Sequence, residues 1–149
     1  MKVMRLWLVS VLAVALGSLG ESGALVQPPC TLTLSPLASI QQAIHNASAG
    51  EILCLEEGTW EENITIYKSL QLRGVGQERT KIKGHFTFGV PVIRIESDDK
   101  IEVTLEGLTI AEAQGTRCGM GFPICAIGIL VRGNAKAMVK DSVISGNEY

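Results

Sequence analysis

Aromatic residues make up only 5% of the 149-residue chain, histidine occurs twice, and acids outnumber bases 15 to 13. Each scarcity excludes a class of function. A formal charge of −2 gives no cationic surface for a phosphate backbone, so nucleic acid is not an expected partner. Few aromatics suit a narrow interior lined by aliphatics. Neither His45 nor His85 stands at ligand spacing from a cysteine pair, which argues against a zinc site. The longest apolar run, LWLVSVLAVALG near the start, covers about 12 residues, short of the ~20 that cross a bilayer.

That run has a reading as a signal peptide, with an uncleaved anchor as the alternative. Lys2 and Arg5 precede it and Ser22-Gly23-Ala24 follow, the charged, apolar and small-residue order of a secretory signal peptide over residues 1–24. Cleavage after Ala24 removes two bases and one acid, leaving 11 against 14. The mature chain is then mildly acidic, exported to the periplasm, the cell surface or the medium, and without a membrane span. Export exposes four cysteines to an oxidising compartment, where three pairings are open to them. CGMGFPIC holds Cys118 and Cys125 around two glycines and a proline, and this spacing predicts a Cys118–Cys125 staple. Cys30 with Cys54 would tie the N-terminal extension to the first core strand; alternatively, Cys54 in ILCL is a small buried hydrophobe.

Downstream, Leu37, Ile40, Ala43, Ile44 and Ala47 form an apolar stripe of helical period. Ser35 is the predicted N-cap, Pro36 the first helical position and Gly50 the stop, so residues 25–50 read as an extension and a capping helix over 37–47. From 51 to 149 the helical period is gone. Short runs replace it: ILCL, ITI, LQL, VIRI, VTL, LTI, GILV, MV and VI, each bounded by Gly, Asn, Asp or Lys, read as strands.

The strands repeat. Leu70-Gln71-Leu72-Arg73-Gly74 aligns with Val103-Thr104-Leu105-Glu106-Gly107 at an offset of 33 residues, and Val139-Lys140-Asp141 follows at 34. Leu108-Thr109-Ile110 falls in turn on Ser142-Val143-Ile144. Self-similarity at this period, with strands and no intervening helices, predicts an all-β solenoid whose coils stack apolar side chains on one another. A β-sandwich and chance likeness among Val/Ile-rich strands are the alternatives.

The order SIQQAIHNASAGE, ILCL, EEGTWEENITIYKS, LQLRGVG, VTLEGLTI and VKDSVISGN resembles the right-handed parallel β-helix families of the pectin-lyase-like superfold. It is most similar to NosD-type proteins and CASH (carbohydrate-binding, sugar-hydrolase) domains, and more distantly to pectin methylesterases, over residues 32–149. The resemblance implies a right-handed parallel β-helix; activity is not implied, because this fold serves many functions. Gly58, Thr59, Trp60, Glu62 and Asn63 match the pattern G-T-[YW]-x-E-N of the turn after the first strand in these families. In that turn Asn63 bonds exposed backbone groups, and Trp60 either covers the edge of the first coil or stacks on a sugar beside Glu61 and Glu62.

Catalysis finds little support in the residues. A glycosidase needs two carboxyls facing each other from different strands or loops, whereas Glu56, Glu57, Glu61 and Glu62 share one turn. Glu96, Asp98 and Asp99 are weak Ca²⁺ candidates by resemblance to pectate lyases; a solvated turn between VIRI and IEVTL is the plainer expectation. Esterase signatures such as Q-A-V-A-L are missing, and Met120, Met138 and the histidines form no copper cluster. Asn46-Ala-Ser48 and Asn63-Ile-Thr65 match the N-glycosylation pattern, while Asn134 and Asn147 read as turn residues. No cofactor is expected. The chain reaches Tyr149 without a second capping element, so further coils are expected, together with self-association through an open last coil. The function read from the sequence is non-catalytic polysaccharide recognition or surface scaffolding, with Trp60, Glu61 and Glu62 as contacts. The alternative is a polysaccharide lyase, hydrolase or esterase whose active site lies beyond this chain.

Overall fold

Every strand pairing among the described residues is parallel. The computed structural model describes residues 26–85, 90–113 and 126–147. In order these form β1 (Leu32–Leu34), α1 (Ile40–Asn46), β2 (Ile52–Leu55), β3 (Gly58–Glu61), β4 (Ile64–Ile66), β5 (Leu70–Arg73) and β6 (Thr80–Lys83). There follow β7 (Ile93–Glu106), β8 (Thr109–Ala111), β9 (Ile129–Lys140) and β10 (Val143–Ser145).

The ladders follow the repeat. Leu70 pairs with Val103 and Leu72 with Leu105, the offset of 33; Leu105 pairs with Val139, the offset of 34; Ile110 pairs with Ile144. Three faces result. The first carries β1, β2, β5, the end of β7 and the end of β9. The second carries β3, β6, β8 and β10; the third carries β4 and the starts of β7 and β9. Successive strands thus pair one coil apart, as in a parallel β-helix, the fold that the repeat predicts.

Inward rows fill the interior. Leu53, Leu72 and Leu105 stack in register, as do Trp60, Ile82 and Ile110, and Ile66 and Ile95, all buried. At roughly 1.5–3 kcal/mol per fully buried aliphatic side chain, these rows dominate the stability. Strand alternation sends their neighbours outward. The repeated glycines mark close backbone approach where the first face turns into the second. A Cβ on Gly74 would lie 2.4 Å from the Gly107 carbonyl oxygen, and Gly107 itself has φ +65°. One coil on, Asp141 takes that place with φ 45°, a conformation that Asp tolerates better than most residues.

Three local expectations are corrected. The helix begins at Ile40, with Ser39 rather than Ser35 as N-cap, and Leu37 is 99% exposed. Tertiary contacts set this start: Glu62 Oε2 accepts from the Ile40 and Gln41 amides at 2.9 and 3.2 Å, and Ser39 Oγ accepts from Gln42 N at 3.2 Å. Ile40, Ala43 and Ile44 face the core. The Gln41 side chain also accepts from Thr65 N at 2.7 Å and donates to Thr65 O at 3.2 Å, occupying backbone groups of β4 as a neighbouring strand would. Second, GTWE is not a turn but the strand β3, because Trp60 registers on Ile82 and points inward. Third, VIRI and IEVTL are not separated by a turn. They are the ends of β7, joined across a register shift in which residues 98–100 face Asn134 alone, an enlarged bulge at a coil corner.

The Cys30–Cys54 disulfide is present, with its Cα atoms 5.8 Å apart. Residues 1–24, Cys118 and Cys125 lie outside the described residues.

Candidate functional site

Trp60 is only 2% exposed, and its Nε1 donates to Ala38 O at 3.1 Å. A ring buried in the coil offers no face to a sugar, so the stacking role expected of it is excluded and its role as a cover of the first coil remains. Glu62 is engaged with the start of α1. Asn63 Nδ2 donates to Pro91 O at 3.0 Å and, more weakly, to Val90 O at 3.4 Å, the backbone-bonding role expected of it. Asn147 is likewise a turn residue, its Oδ1 accepting from Ala113 N at 2.9 Å.

Glu61 is exposed and lies 3.5 Å from Lys83 Nζ. It joins a charge ladder on the second face, where Glu112 binds Lys81 at 2.7 Å and Lys83 at 2.8 Å. Hydrogen bonds from Lys81 and then Lys83 hold the Glu112 carboxyl below its ordinary range. The hydrogen bond to Glu112 pushes the Lys83 ammonium up. Both lysines are neutralised within the ladder. A recess of about 450 Å³ beside it is lined by Gln41, Glu61, Glu62, Asn63 and His85.

Of the Ca²⁺ candidates, Glu96 pairs with Arg94 at 3.3 Å, and Asp98 and Asp99 stand exposed on the bulge. Among the described residues no three His, Cys, Asp or Glu side chains converge into a group that could hold a metal ion.

The larger concavity lies on the first face. An open groove of about 640 Å³ is lined by Gly50, Ile52, Ser69, Leu70, Gln71, Lys100, Glu102 and Thr104. Its floor is the outward row Ile52, Gln71 and Thr104, in register across β2, β5 and β7. Ser69 lies just before β5, with its hydroxyl accepting from Glu102 N at 3.0 Å. Along the groove runs a second outward row, Cys54, Arg73 and Glu106. Glu106 receives Gln71 Nε2 at 2.6 Å and stands 3.6 Å from Arg73 Nε, a nitrogen with no hydrogen-bond partner. Hydroxyl, amide, ammonium and carboxylate groups thus line the groove beside Ile52 and Leu70, an arrangement suited to a ligand with many hydroxyls.

Gln71, Arg73, Thr104 and Glu106 were not foreseen as site residues. The signal was in the repeat, which sets Arg73 opposite Glu106 and Gln71 opposite Thr104 at the offset of 33.

No family model matches the chain, and no curated protein matches it. A solved structure does: a pectin methylesterase in complex with a hexasaccharide, at a TM-score of 0.55 and 18% identity, over 78% of this chain and 43% of that one. The likeness supports the parallel β-helix fold. The chain spans less than half the length of that esterase.

Proposed function

We propose that this is an exported β-helix module, wound right-handedly and of the NosD and CASH kind, that binds polysaccharide without cleaving it, through the groove of the first face. The observation that carries this reading is the groove itself, about 640 Å³ across the outward row Ile52, Gln71 and Thr104. Right-handed winding is the general rule for connections between parallel strands. The Cys30–Cys54 bond fits an oxidising compartment and so supports export. The helix α1 closes the first coil. Val139 of β9 and Ile144 of β10 stand exposed, and self-association through these strands is part of the proposal.

Binding is favoured over hydrolysis by geometry. Glu102 and Glu106, the acids of β7 on the groove side of this face, are four residues apart on one strand, which separates their Cα atoms by about 13 Å. A glycosidase pair stands at roughly 5 to 9.5 Å. Because the chain covers only part of the esterase that it resembles in fold, an enzyme whose active site lies on other coils is the second reading.

Titration calorimetry with a pectin hexasaccharide tests the assignment. Saturable binding is expected, weakened at least fivefold by Thr104→Arg, which fills the groove floor. Heat changes that are identical in wild type and variant, or absent from both, refute it.

A further inference from the structure

The first face is crossed by the chain's own N-terminal segment. Cys30 is bonded to Cys54, Pro28 O accepts from Arg73 Nη1 at 2.8 Å, and Gln27 Nε2 donates to Glu106 Oε1 at 3.3 Å. Cys54, Arg73 and Glu106 are register partners on three adjacent strands, so two strand spacings separate the first from the last, about 10 Å. Three residues of extended chain, from Cys30 back to Gln27, span the same distance. Residues 26–30 therefore form a strap laid across the strands, along the coil axis. Its five residues are all exposed, which leaves it without a packed apolar anchor. The disulfide and two hydrogen bonds hold it.

The strap satisfies Arg73 and Glu106 in a particular way. It presents an acceptor to the guanidinium and a donor to the carboxylate, side by side on one strip of the face. A pair of neighbouring sugar hydroxyls offers the same two functions, since a hydroxyl both donates and accepts. Gln71 links this strip to the groove, because it forms part of the groove floor and donates to Glu106 at 2.6 Å. Arg73 Nε, lacking a hydrogen-bond partner, is a further donor that the strap leaves unused.

We infer that Gln71, Arg73 and Glu106 form a saccharide subsite continuous with the groove, which the strap Gln27–Cys30 occupies as an internal competitor until a polyhydroxylated ligand displaces it. The inference rests on the proposed binding function of the first face. In the ligand-bound state the strap swings away about Cys30, which stays tethered to Cys54. Arg73 then donates to one sugar hydroxyl, and Glu106 accepts from its neighbour. Ligand affinity is accordingly set in part by how firmly the strap is seated. A strap closed about nine-tenths of the time weakens the apparent affinity about tenfold, because only the open fraction binds.

Calorimetry with a pectin hexasaccharide on three proteins tests this: the disulfide-bonded wild type, Cys30→Ser, and the double variant Gln27→Gly with Pro28→Gly. The double variant keeps the disulfide and carries the test if Cys30→Ser does not fold. Each variant is expected to bind about tenfold more tightly than wild type, and Glu106→Gln added to the double variant is expected to remove most of that gain. Equal or weaker binding by the strap variants, with wild type binding normally, overturns the competition and leaves the groove reading intact. Absence of binding by all three proteins overturns both.

Discussion

Replacing Trp60 by alanine removes the largest side chain of the inward row that it shares with Ile82 and Ile110. The ring is 2% exposed. Burying a tryptophan removes about 150–250 Å² from water, which at about 25 cal/mol per Å² corresponds to roughly 4–6 kcal/mol. Partial collapse of the surroundings brings the expected loss to about 3–5 kcal/mol. Trp60→Phe keeps most of the apolar surface but strips the Ala38 carbonyl of its donor, a cost of about 1–3 kcal/mol. Urea unfolding followed by circular dichroism measures both, and fluorescence supplies an independent check. Trp7 and Trp60 are the only tryptophans, so a chain lacking residues 1–24 reports on Trp60 alone. Its emission should be blue-shifted and shielded from acrylamide. A loss below about 1 kcal/mol for Trp60→Ala, or ready quenching of the wild type, would show that the ring does not lie where the inward row puts it. Hexasaccharide affinity should be unchanged by Trp60→Phe, in contrast to a stacking role.

Removing the Cys30–Cys54 bond, which spans a sequence separation of 24, by Cys30→Ser should cost roughly 3 kcal/mol by the loop-entropy relation; parallel unfolding curves of wild type and variant measure it, and coincident curves contradict it. Glu62→Ala should cost about 1–2 kcal/mol through the loss of acceptors for two helix amides, read as a lowered urea midpoint. Glu112→Gln gives a pH signature. The lowered carboxyl of Glu112 contributes stability that is present above its unfolded pKa and lost as pH falls through the folded value. The raised ammonium of Lys83 contributes stability that is complete below its unfolded pKa and lost as pH rises through the folded value. The difference in melting temperature between wild type and variant should therefore be level across neutral pH and shrink towards both extremes; a constant difference from acid to alkali would contradict the ladder.

The repeat itself was legible in the chain. The offsets of 33 and 34 residues, read from Leu, Val and Gly positions, are the offsets at which β5, β7 and β9 pair, because a coil can bury its aliphatic rows only by setting like on like. Scarcity of aromatics and alternation within each short run pointed the same way. What escaped were the places where one segment answers to another far along the chain. Pro36 is a good helix start by local rules, yet α1 begins at Ile40, since Glu62 and Ser39 supply the acceptors there. GTWE has the composition of a turn but becomes a strand when β6 pairs with it. TKIK holds a single aliphatic residue, Ile82, and is a strand because Thr80 and Ile82 are buried between β3 and β8. A sequence determines which side chains must be hidden together, through their period and hydrophobicity. Which outward side chains then share a surface depends on coil register and on the path of the N-terminal strap, so Gln71, Arg73 and Glu106 became a candidate site only once the coils were stacked.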